Sequence, residues 1–471
     1  MLKGLSSKLK IDDNILSTIG NTPMVRLNKV PSKHGVKCEI LGKCEYQNPS
    51  GSLKDRISLR MIENAEKRGE LKPGYVCIVP TSGNTGISMA LTASIKGYKC
   101  IIVMSEKMSK EKERVIKSLG SEIVRTPVSG GSHGLNGIFP TIERLKKIHP
   151  NNVVINQYTD LGNPEAHYDV TAEEILEQCS GKLDMLVIGA GTGGALTGIA
   201  KRLKESLPNI KIVGVDPEGS MLAQPETLNK SGFFEVEGIG HDFIPKVLDR
   251  SLVDFWIKSV DKDALNMCRE LIKEEGLLCG MSSGAVMCAA LKAAKNLNEN
   301  QRVVAFFGDS IRNYMTKFMV DNWMIARDYI PCPNTKNLWW WDKKITDIPI
   351  HNVNIVSEKS TIQDAINCFD LSKVTEIPIL GDNQKVLGIV KKEILLGKLM
   401  QEDTHLDESV SKIINYDYEK VSACMSLGAA ATILQSEKFL MVLDDRKSEK
   451  HYGILTLDDI FTFVNIKQTK M

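Results

Sequence analysis

Between about residue 10 and residue 330, short apolar runs rich in β-branched residues alternate with longer stretches whose apolar positions recur at helical spacing. Val76-Cys77-Ile78-Val79-Pro80 precedes a helical pattern from Gly86 to Lys96, and Cys100-Ile101-Ile102-Val103-Met104 precedes a charged amphipathic segment from Ser109 to Leu119. Further runs are Glu122-Ile123-Val124-Arg125, Val153-Val154-Ile155, Met185-Leu186-Val187-Ile188, Lys211 to Val215 and Arg302 to Phe307. Strands of a parallel sheet are buried on both faces, so they read as continuous rather than alternating apolar runs. The pattern predicts an α/β fold with open, mostly parallel sheets, split at this length into two lobes.

The pattern changes after Tyr329. Ile330-Pro331-Cys332-Pro333 keeps the chain extended, and Trp339-Trp340-Trp341 follows directly. Three consecutive exposed indoles would form a costly patch, so at least two are expected to pack against a domain. Beyond them the sequence repeats itself. Glu376 to Leu380, Val386-Leu387-Gly388-Ile389-Val390 and Glu393 to Leu396 are echoed by Lys438 to Leu443, His451-Tyr452-Gly453-Ile454-Leu455 and Asp458 to Phe461. The repeat is too long for a solenoid and suits a two-lobed module. The expected organisation is a catalytic domain at 1–330, a linker with the tryptophans at 331–345, and a module at 346–471 with repeats at about 346–400 and 409–466.

Composition narrows the class. Of 471 residues, 60 are basic and 58 acidic, so no global charge draws the chain to nucleic acid or membrane. The segment Met1 to Lys8 lacks the apolar core of a secretory leader, and the expectation is a cytoplasmic protein. Eleven cysteines lie scattered without metal-ligand spacing. Reduced thiols used as small hydrophobes account for them, and no metal is expected.

Four loops carry candidate chemistry. In Asn48-Pro49-Ser50-Gly51-Ser52-Leu53-Lys54-Asp55-Arg56, Lys54 stands where a turn hands over to a helix, and a desolvated lysine loses its proton readily to become a nucleophile. A solvated lysine at a capped helix start has the same local signature. Thr81-Ser82-Gly83-Asn84-Thr85-Gly86 crowds hydroxyls and N–H groups at a helix start, more than a cap requires, and suits a carboxylate. The glycine loop Gly189-Ala190-Gly191-Thr192-Gly193-Gly194 suits a phosphate. It also satisfies a dinucleotide pattern with Asp216 as the acidic partner, so a nicotinamide-dependent oxidoreductase is a rival reading. Gly280-Met281-Ser282-Ser283 brings a hydroxyl to another helix start, where a cap and a functional role read alike. Gln157 and His241, each in a turn, carry no spacing signal of their own.

In their order and spacing these loops resemble the fold-type II pyridoxal-phosphate enzymes and, among them, the cystathionine β-synthases. Ile19-Gly20-Asn21-Thr22-Pro23, Tyr314 to Phe318 and the tryptophan triplet add to the likeness. The resemblance implies pyridoxal 5'-phosphate as cofactor. Lys54 is then its anchor and the acid–base group. Gly191, Thr192, Gly193 and Gly194 hold the phosphate, Asn84 the ring hydroxyl, and Ser282 faces the ring nitrogen. Thr81, Ser82, Gly83, Thr85 and Gln157 bind the substrate carboxylate, and His241 stands at the site entrance, where cystathionine synthases usually carry tyrosine. Ala195 replaces a threonine common in the family, which removes one phosphate donor. The implied reaction is β-replacement of L-serine by L-homocysteine to give cystathionine and water, with hydrogen sulfide from cysteine as a side activity. A cysteine synthase using O-acetylserine and sulfide is the alternative. No haem is expected, because the residues before Ile19 contain neither Cys nor His.

The duplicated C-terminal pattern resembles the paired repeats of a Bateman module. That likeness implies a site for S-adenosylmethionine or another adenosyl ligand at Thr456 and Asp459, whose counterparts in the first repeat are Lys391 and Ile394. A homodimer or higher homo-oligomer is the implied assembly, and a purely structural module is the alternative.

Overall fold

Two parallel sheets build the first part of the chain. In this computed structural model, residues 11–468 are described apart from 82, 106–108, 127–133, 135–136, 332–337, 351–353, 373–374, 382–383, 401–404, 416–417, 436 and 445–449. The strands of the first part are β1 (Met24–Arg26), β2 (Glu39–Cys44), β3 (Val76–Thr81), β4 (Lys99–Ser105), β5 (Glu122–Thr126), β6 (Asn152–Val154), β7 (Met185–Gly189), β8 (Lys211–Pro217), β9 (Phe255–Ser259) and β10 (Arg302–Phe307). They form a four-stranded sheet in the order β5-β4-β3-β6 and a six-stranded sheet in the order β1-β2-β10-β7-β8-β9. Every pairing is parallel except that of β1 with β2.

The apolar runs became strands for the reason their pattern implies. All six residues of β3 are buried, because helices cover both faces of its sheet. The helix Lys54–Lys67 turns Ile57, Met61, Ile62 and Ala65 inward, at helical spacing, onto Ile87, Ala90 and Ala93 of the helix Asn84–Lys96 and onto Cys77, Val79 and Ile102 of the sheet. β2 has no such signature, since Glu39, Gly42 and Lys43 interrupt it. It is nevertheless central. A side chain at Gly42 would lie 2.6 Å from the ring of Phe307, so the glycine admits that ring between neighbouring strands.

The chain divides into compact units between Met319 and Val320, about ten residues before the composition change at Tyr329. Residues 320–330 belong with the later unit, where Ala326 joins its core and Arg327 pairs with Glu419 at 2.6 Å.

That later unit contains two matching halves. The first comprises β11 (Val356–Ser357), β12 (Glu376–Leu380) and β13 (Val386–Lys391), and the second β14 (Glu419–Ser422), β15 (Leu440–Leu443) and β16 (His451–Leu455). In each half a parallel pair is followed by an antiparallel pair, and the register slips at the same place, Ile379/Leu380 in one and Val442/Leu443 in the other. Leu380, Val386 and Ile389 of the first half share a core with Phe439, Met441 and Ile454 of the second. The tryptophans pack onto this same unit. Trp340 lies against its core, Trp341 covers Gly428, where no Cβ would fit, and Trp339 meets the ring of Phe463 at 5.6 Å.

Among the described residues no helix is long and apolar enough to cross a membrane, and no group of three or more His, Cys, Asp or Glu side chains stands together as a metal site. The ten cysteines among them are free thiols.

Candidate active site

In open parallel sheets, ligands bind beyond the carboxyl ends of the strands, and the candidate residues gather there. β10 ends in Gly308-Asp309-Ser310, which ties down the Lys54 turn through Leu53 N–H to Gly308 O at 2.9 Å and Ser310 N–H to Gly51 O at 3.0 Å. The same turn holds the loop before Ser282, because Gly280 N–H donates to Asp309 O at 2.7 Å. Lys54, Gly191, Thr192, Gly193, Ser282 and Gly308 line one cavity. Burial lowers the Lys54 ammonium to about 8, against the pull of the Asp309 carboxylate that favours its charged form. A nucleophilic amine is therefore accessible near neutral pH.

The glycine loop leaves room for a ligand's oxygens. Gly193 adopts φ +81°, and a side chain there would strike Leu248 at 2.5 Å; one at Gly191 would strike Gly238 O at 2.6 Å. Among the described residues, the N–H groups of Gly191, Thr192 and Gly193 donate to no protein acceptor, and the helix Gly194–Ser206 begins directly behind them. Unspent donors at the positive end of a helix dipole suit a phosphate. Gly194 has a different task, since a Cβ there would overlap Asn163 Oδ1. Asn163 Nδ2 donates to Gln157 O at 2.8 Å and to Thr192 Oγ1 at 3.0 Å, which joins the phosphate loop to the segment after β6. Gly194→Ala is therefore expected to displace Asn163 and weaken cofactor affinity roughly tenfold or more, checked by titrating apoprotein with pyridoxal phosphate.

Among the described residues, Thr81, Gly83, Asn84, Thr85 and Gln157 do not line this cavity, and they join it only through hydrogen-bonded neighbours, Gln157 through Asn163 to Thr192 and Asn84 through Asp309. Thr85 Oγ1 donates to Gln157 Oε1 at 2.6 Å, and Gln157 Nε2 to Pro80 O at 3.3 Å. Thr81 Oγ1 accepts from Gly83 N–H at 3.0 Å. Ser82 lies outside the described residues. Asn84 sits at the helix start with Nδ2 donating to Asp309 Oδ2 at 2.7 Å and Oδ1 accepting from Asn313 Nδ2 at 3.0 Å. Its Nδ2 and Ser282 Oγ both approach Gly238, which lines the cavity. His241 belongs to an aromatic cluster beside Gln157 instead of the Lys54 cavity wall; its ring stands edge-on to Tyr158 at 5.2 Å and meets Phe243 at 5.1 Å.

Sequence reasoning passed over Asp309, Asn163, Asn313 and Glu237. Asp309 had a usable signal, because Gly308-Asp309-Ser310 follows an apolar strand as the other loops do. Glu237 had none. It is fully buried and bridges Lys112 and Lys317, both at 2.5 Å; burial pushes its carboxyl up, and the two lysines reverse this, to about 2. The strap Glu237-Gly238-Ile239-Gly240 is thus anchored by this ion triad at one end and by Gly240 N–H to Ala190 O, 2.7 Å, at the other.

The dinucleotide reading fails at Asp216. Its Oδ2 accepts from Leu222 N–H and Ala223 N–H at 3.1 Å and from Lys258 Nζ at 2.7 Å, with no exposed surface left for a ribose.

A family model described as pyridoxal-phosphate dependent enzyme matches residues 15–309, and one for the CBS domain matches residues 345–401. Cystathionine beta-synthase of Apis mellifera is 45% identical over 97% of this chain and 91% of its own length. The chain belongs to the cystathionine beta-synthase family of pyridoxal-phosphate dependent enzymes. Among solved structures, a hydrogen sulfide-producing enzyme from Fusobacterium nucleatum is 40% identical, covering 64% of this chain and all of its own, with a TM-score of 0.61. An O-acetylserine dependent cystathionine beta-synthase from Helicobacter pylori is 35% identical, covering 66% of this chain and 99% of its own, with a TM-score of 0.61. The cofactor of this family is pyridoxal phosphate, and a buried amine, a glycine-rich cradle with unspent N–H groups and a hydroxyl at a helix start fit it. The CBS domain match lies on the first repeat; the second repeat is evident from the repeated strand pairing.

Proposed function

We propose that this enzyme condenses L-serine with L-homocysteine to cystathionine and water. The observation that carries the proposal is the buried amine of Lys54, its charged form disfavoured by burial, opening onto the glycine-rich cradle at Gly191–Gly194, whose one side chain is the small hydroxyl of Thr192. Bound pyridoxal phosphate supplies an aldehyde that joins amines and a ring that accepts electron density. Lys54 Nζ anchors it, then takes the proton from the substrate's α-carbon and returns it at the end. The N–H groups of Gly191, Thr192 and Gly193 and the Thr192 hydroxyl hold the phosphate, with Gly194 admitting Asn163 behind them. Asn84 Nδ2 meets the ring oxygen. Ser282 Oγ meets the ring nitrogen; a neutral hydroxyl there does not hold a proton on the nitrogen as a carboxylate would, which favours prompt loss of a β-substituent. Thr81, Ser82, Gly83, Thr85 and Gln157 receive the substrate carboxylate at the start of the helix Asn84–Lys96, and the pairing of Thr85 with Gln157 supports their acting together. Serine loses its β C–O bond and gains a C–S bond from the thiol, whose S–H proton leaves with the departing hydroxyl as water.

A cysteine synthase using O-acetylserine and sulfide is the second reading. It is favoured by His241, packed in the Tyr158–Phe243 cluster, standing where cystathionine synthases usually carry tyrosine. Supplying purified enzyme with serine and O-acetylserine against homocysteine and sulfide, with products resolved by mass, separates the two. Cystathionine from serine is expected as the main product, and cysteine from O-acetylserine alone would overturn the first reading. With cysteine in place of serine and no added sulfide, release of hydrogen sulfide on addition of homocysteine is expected.

In the later unit we place an adenosyl ligand such as S-adenosylmethionine at Thr456 and Asp459. Thr456 N–H and Oγ1 both donate to Asp459 Oδ2, each at 2.7 Å, which fixes the carboxylate at the start of the helix Leu457–Gln468. Thr361 and Asp364 make the same cap in the first half, so the motif also serves helix capping alone. Calorimetry with S-adenosylmethionine, AMP and ATP decides, and no heat from any of them rejects the site. A homodimer is the proposed assembly. The free thiols support the cytoplasm as its compartment.

A further inference from the structure

None of the roles assigned so far uses the carboxylate of Asp309, yet it touches the side chain assigned to the cofactor's ring oxygen. Asp309 is 1% exposed and sits at the centre of the site, in the turn whose backbone holds both the Lys54 loop and the Ser282 loop. Its Oδ2 accepts from Asn84 Nδ2 at 2.7 Å and from the Tyr314 hydroxyl. Oδ1 receives no hydrogen bond among the described residues. On the other side of the same carboxamide, Asn313 Nδ2 donates to Asn84 Oδ1 at 3.0 Å.

A carboxamide has donors at its nitrogen and lone pairs at its oxygen, so it is pinned when an acceptor faces the nitrogen and a donor faces the oxygen. Rotating Asn84 by half a turn would set its oxygen against the carboxylate and its N–H against that of Asn313. Both mismatches would be buried, where they are most costly. The surroundings keep the carboxylate in place. Lys112 Nζ lies 4.6 Å above the Tyr314 ring and pairs with Glu237, whose neighbour Gly238 is placed so that a Cβ on it would come within 3.9 Å of Asn84 Nδ2. Burial, with the Glu237 charge adding to it, leaves the Asp309 carboxyl above its ordinary value, and Lys112 and the donors Tyr314 and Asn84 offset only part of that rise.

We propose that Asp309 is a positioning residue for the cofactor: together with Asn313 it locks the Asn84 carboxamide so that the second Nδ2–H, and not Oδ1, is presented to the ring oxygen. The proposal rests on the pyridoxal-phosphate reading. A ring oxygen that meets an N–H need carry no proton, whereas one that meets a carbonyl oxygen must carry its own. The lock therefore sets the protonation of that oxygen, which the absorption spectrum of the bound cofactor reports without any turnover.

The test titrates the full-length apoprotein with pyridoxal phosphate and records spectrum and affinity. Asp309→Asn can face Asn84 with an oxygen or an N–H and no longer dictates its orientation; part of the absorption should move from the visible toward the near-ultraviolet, with affinity reduced up to roughly tenfold. The double variant Asp309→Asn with Asn313→Asp exchanges acceptor and donor without changing the set of polar groups, and should hold the amide reversed, so that the near-ultraviolet form dominates. A role in stability alone would move neither band. Wild-type protein that takes up no pyridoxal phosphate overturns the cofactor reading and the assignment with it. Normal wild-type uptake with an unshifted visible band in the double variant overturns the assignment alone. Should both variants fail to fold by circular dichroism, Asn313→Ala decides: mixed bands support the lock, and an unchanged spectrum refutes it.

Discussion

Lys54→Ala is expected to lose the covalent attachment of pyridoxal phosphate and to lower turnover by about three orders of magnitude or more, since one amine is both anchor and acid–base group. Borohydride reduction of the wild type, followed by peptide mass analysis, should label the segment carrying Lys54, and the variant should show no labelled peptide. Retained visible absorption and activity in the variant would falsify the assignment. The pH dependence has a defined sign. The Lys54 amine titrates at about 8 when folded, against an ordinary lysine value of 10.5. Cofactor capture by apoprotein should therefore rise through pH about 8 and level off above it. Between pH 8 and 10.5 the unfolded chain binds the extra proton, so folding stability gains with rising pH across that window. Below it, the buried ammonium costs about 3 kcal/mol. Apoprotein with Lys54→Met should accordingly melt above the wild type at pH 7, with the difference fading above pH 10.5.

Arg56→Ala should cost about 3–5 kcal/mol of stability and lower the melting temperature by on the order of 10 °C, although Arg56 touches no part of the cavity. Its guanidinium forks onto two carboxylates, with Nε 2.7 Å from Glu45 Oε2 and Nη1 2.7 Å from Glu174 Oε1. Lys43, wholly buried, adds a bond of 2.6 Å to Glu174. The segment Gly20-Asn21-Thr22 closes over this cluster. Asn21 N–H donates to Glu174 Oε1 at 2.8 Å and Thr22 Oγ1 to Glu45 Oε1 at 2.6 Å. Without Arg56, the buried carboxylate of Glu45 and the half-buried one of Glu174 face a single lysine. Arg56→Lys keeps the charge but loses the fork, and should recover only part of the loss. Because Arg56 lies two residues beyond Lys54 on the same helix, cofactor affinity should fall as well.

The same cluster predicts acid sensitivity. Burial pushes Glu45 and Glu174 up, and Arg56 and Lys43 overrule it, leaving both carboxyls below their ordinary range. Groups depressed in the folded state contribute stability that is complete above the unfolded carboxylate range and is lost as pH falls through the folded values. Melting temperature measured from pH 6 downward should drop below pH about 4.5 in the wild type, and less steeply in Arg56→Ala.

The amino-acid sequence determined the fold class and most of the chemistry. Apolar runs at β3, β4, β7, β8 and β10 follow directly from burial on both faces, and the loops at Lys54, Asn84, Gly191 and Ser282 are legible because helix starts and close backbone approaches demand glycine and small polar residues. The repeats were legible because each half needs the same apolar strand pair to close its core. Tertiary structure alone decided what lies between those loops. β2 carries Lys43 in its buried run, which only partners 131 residues away at Glu174 make tolerable. Glu237 is paired with lysines 125 and 80 residues distant, and Asn84 is oriented by Asp309 and Asn313, 225 and 229 residues away. A local pattern records the backbone geometry and burial that neighbours in sequence impose. The electrostatic environment of a side chain is set by whichever groups folding brings within a few ångströms, and no local periodicity encodes them.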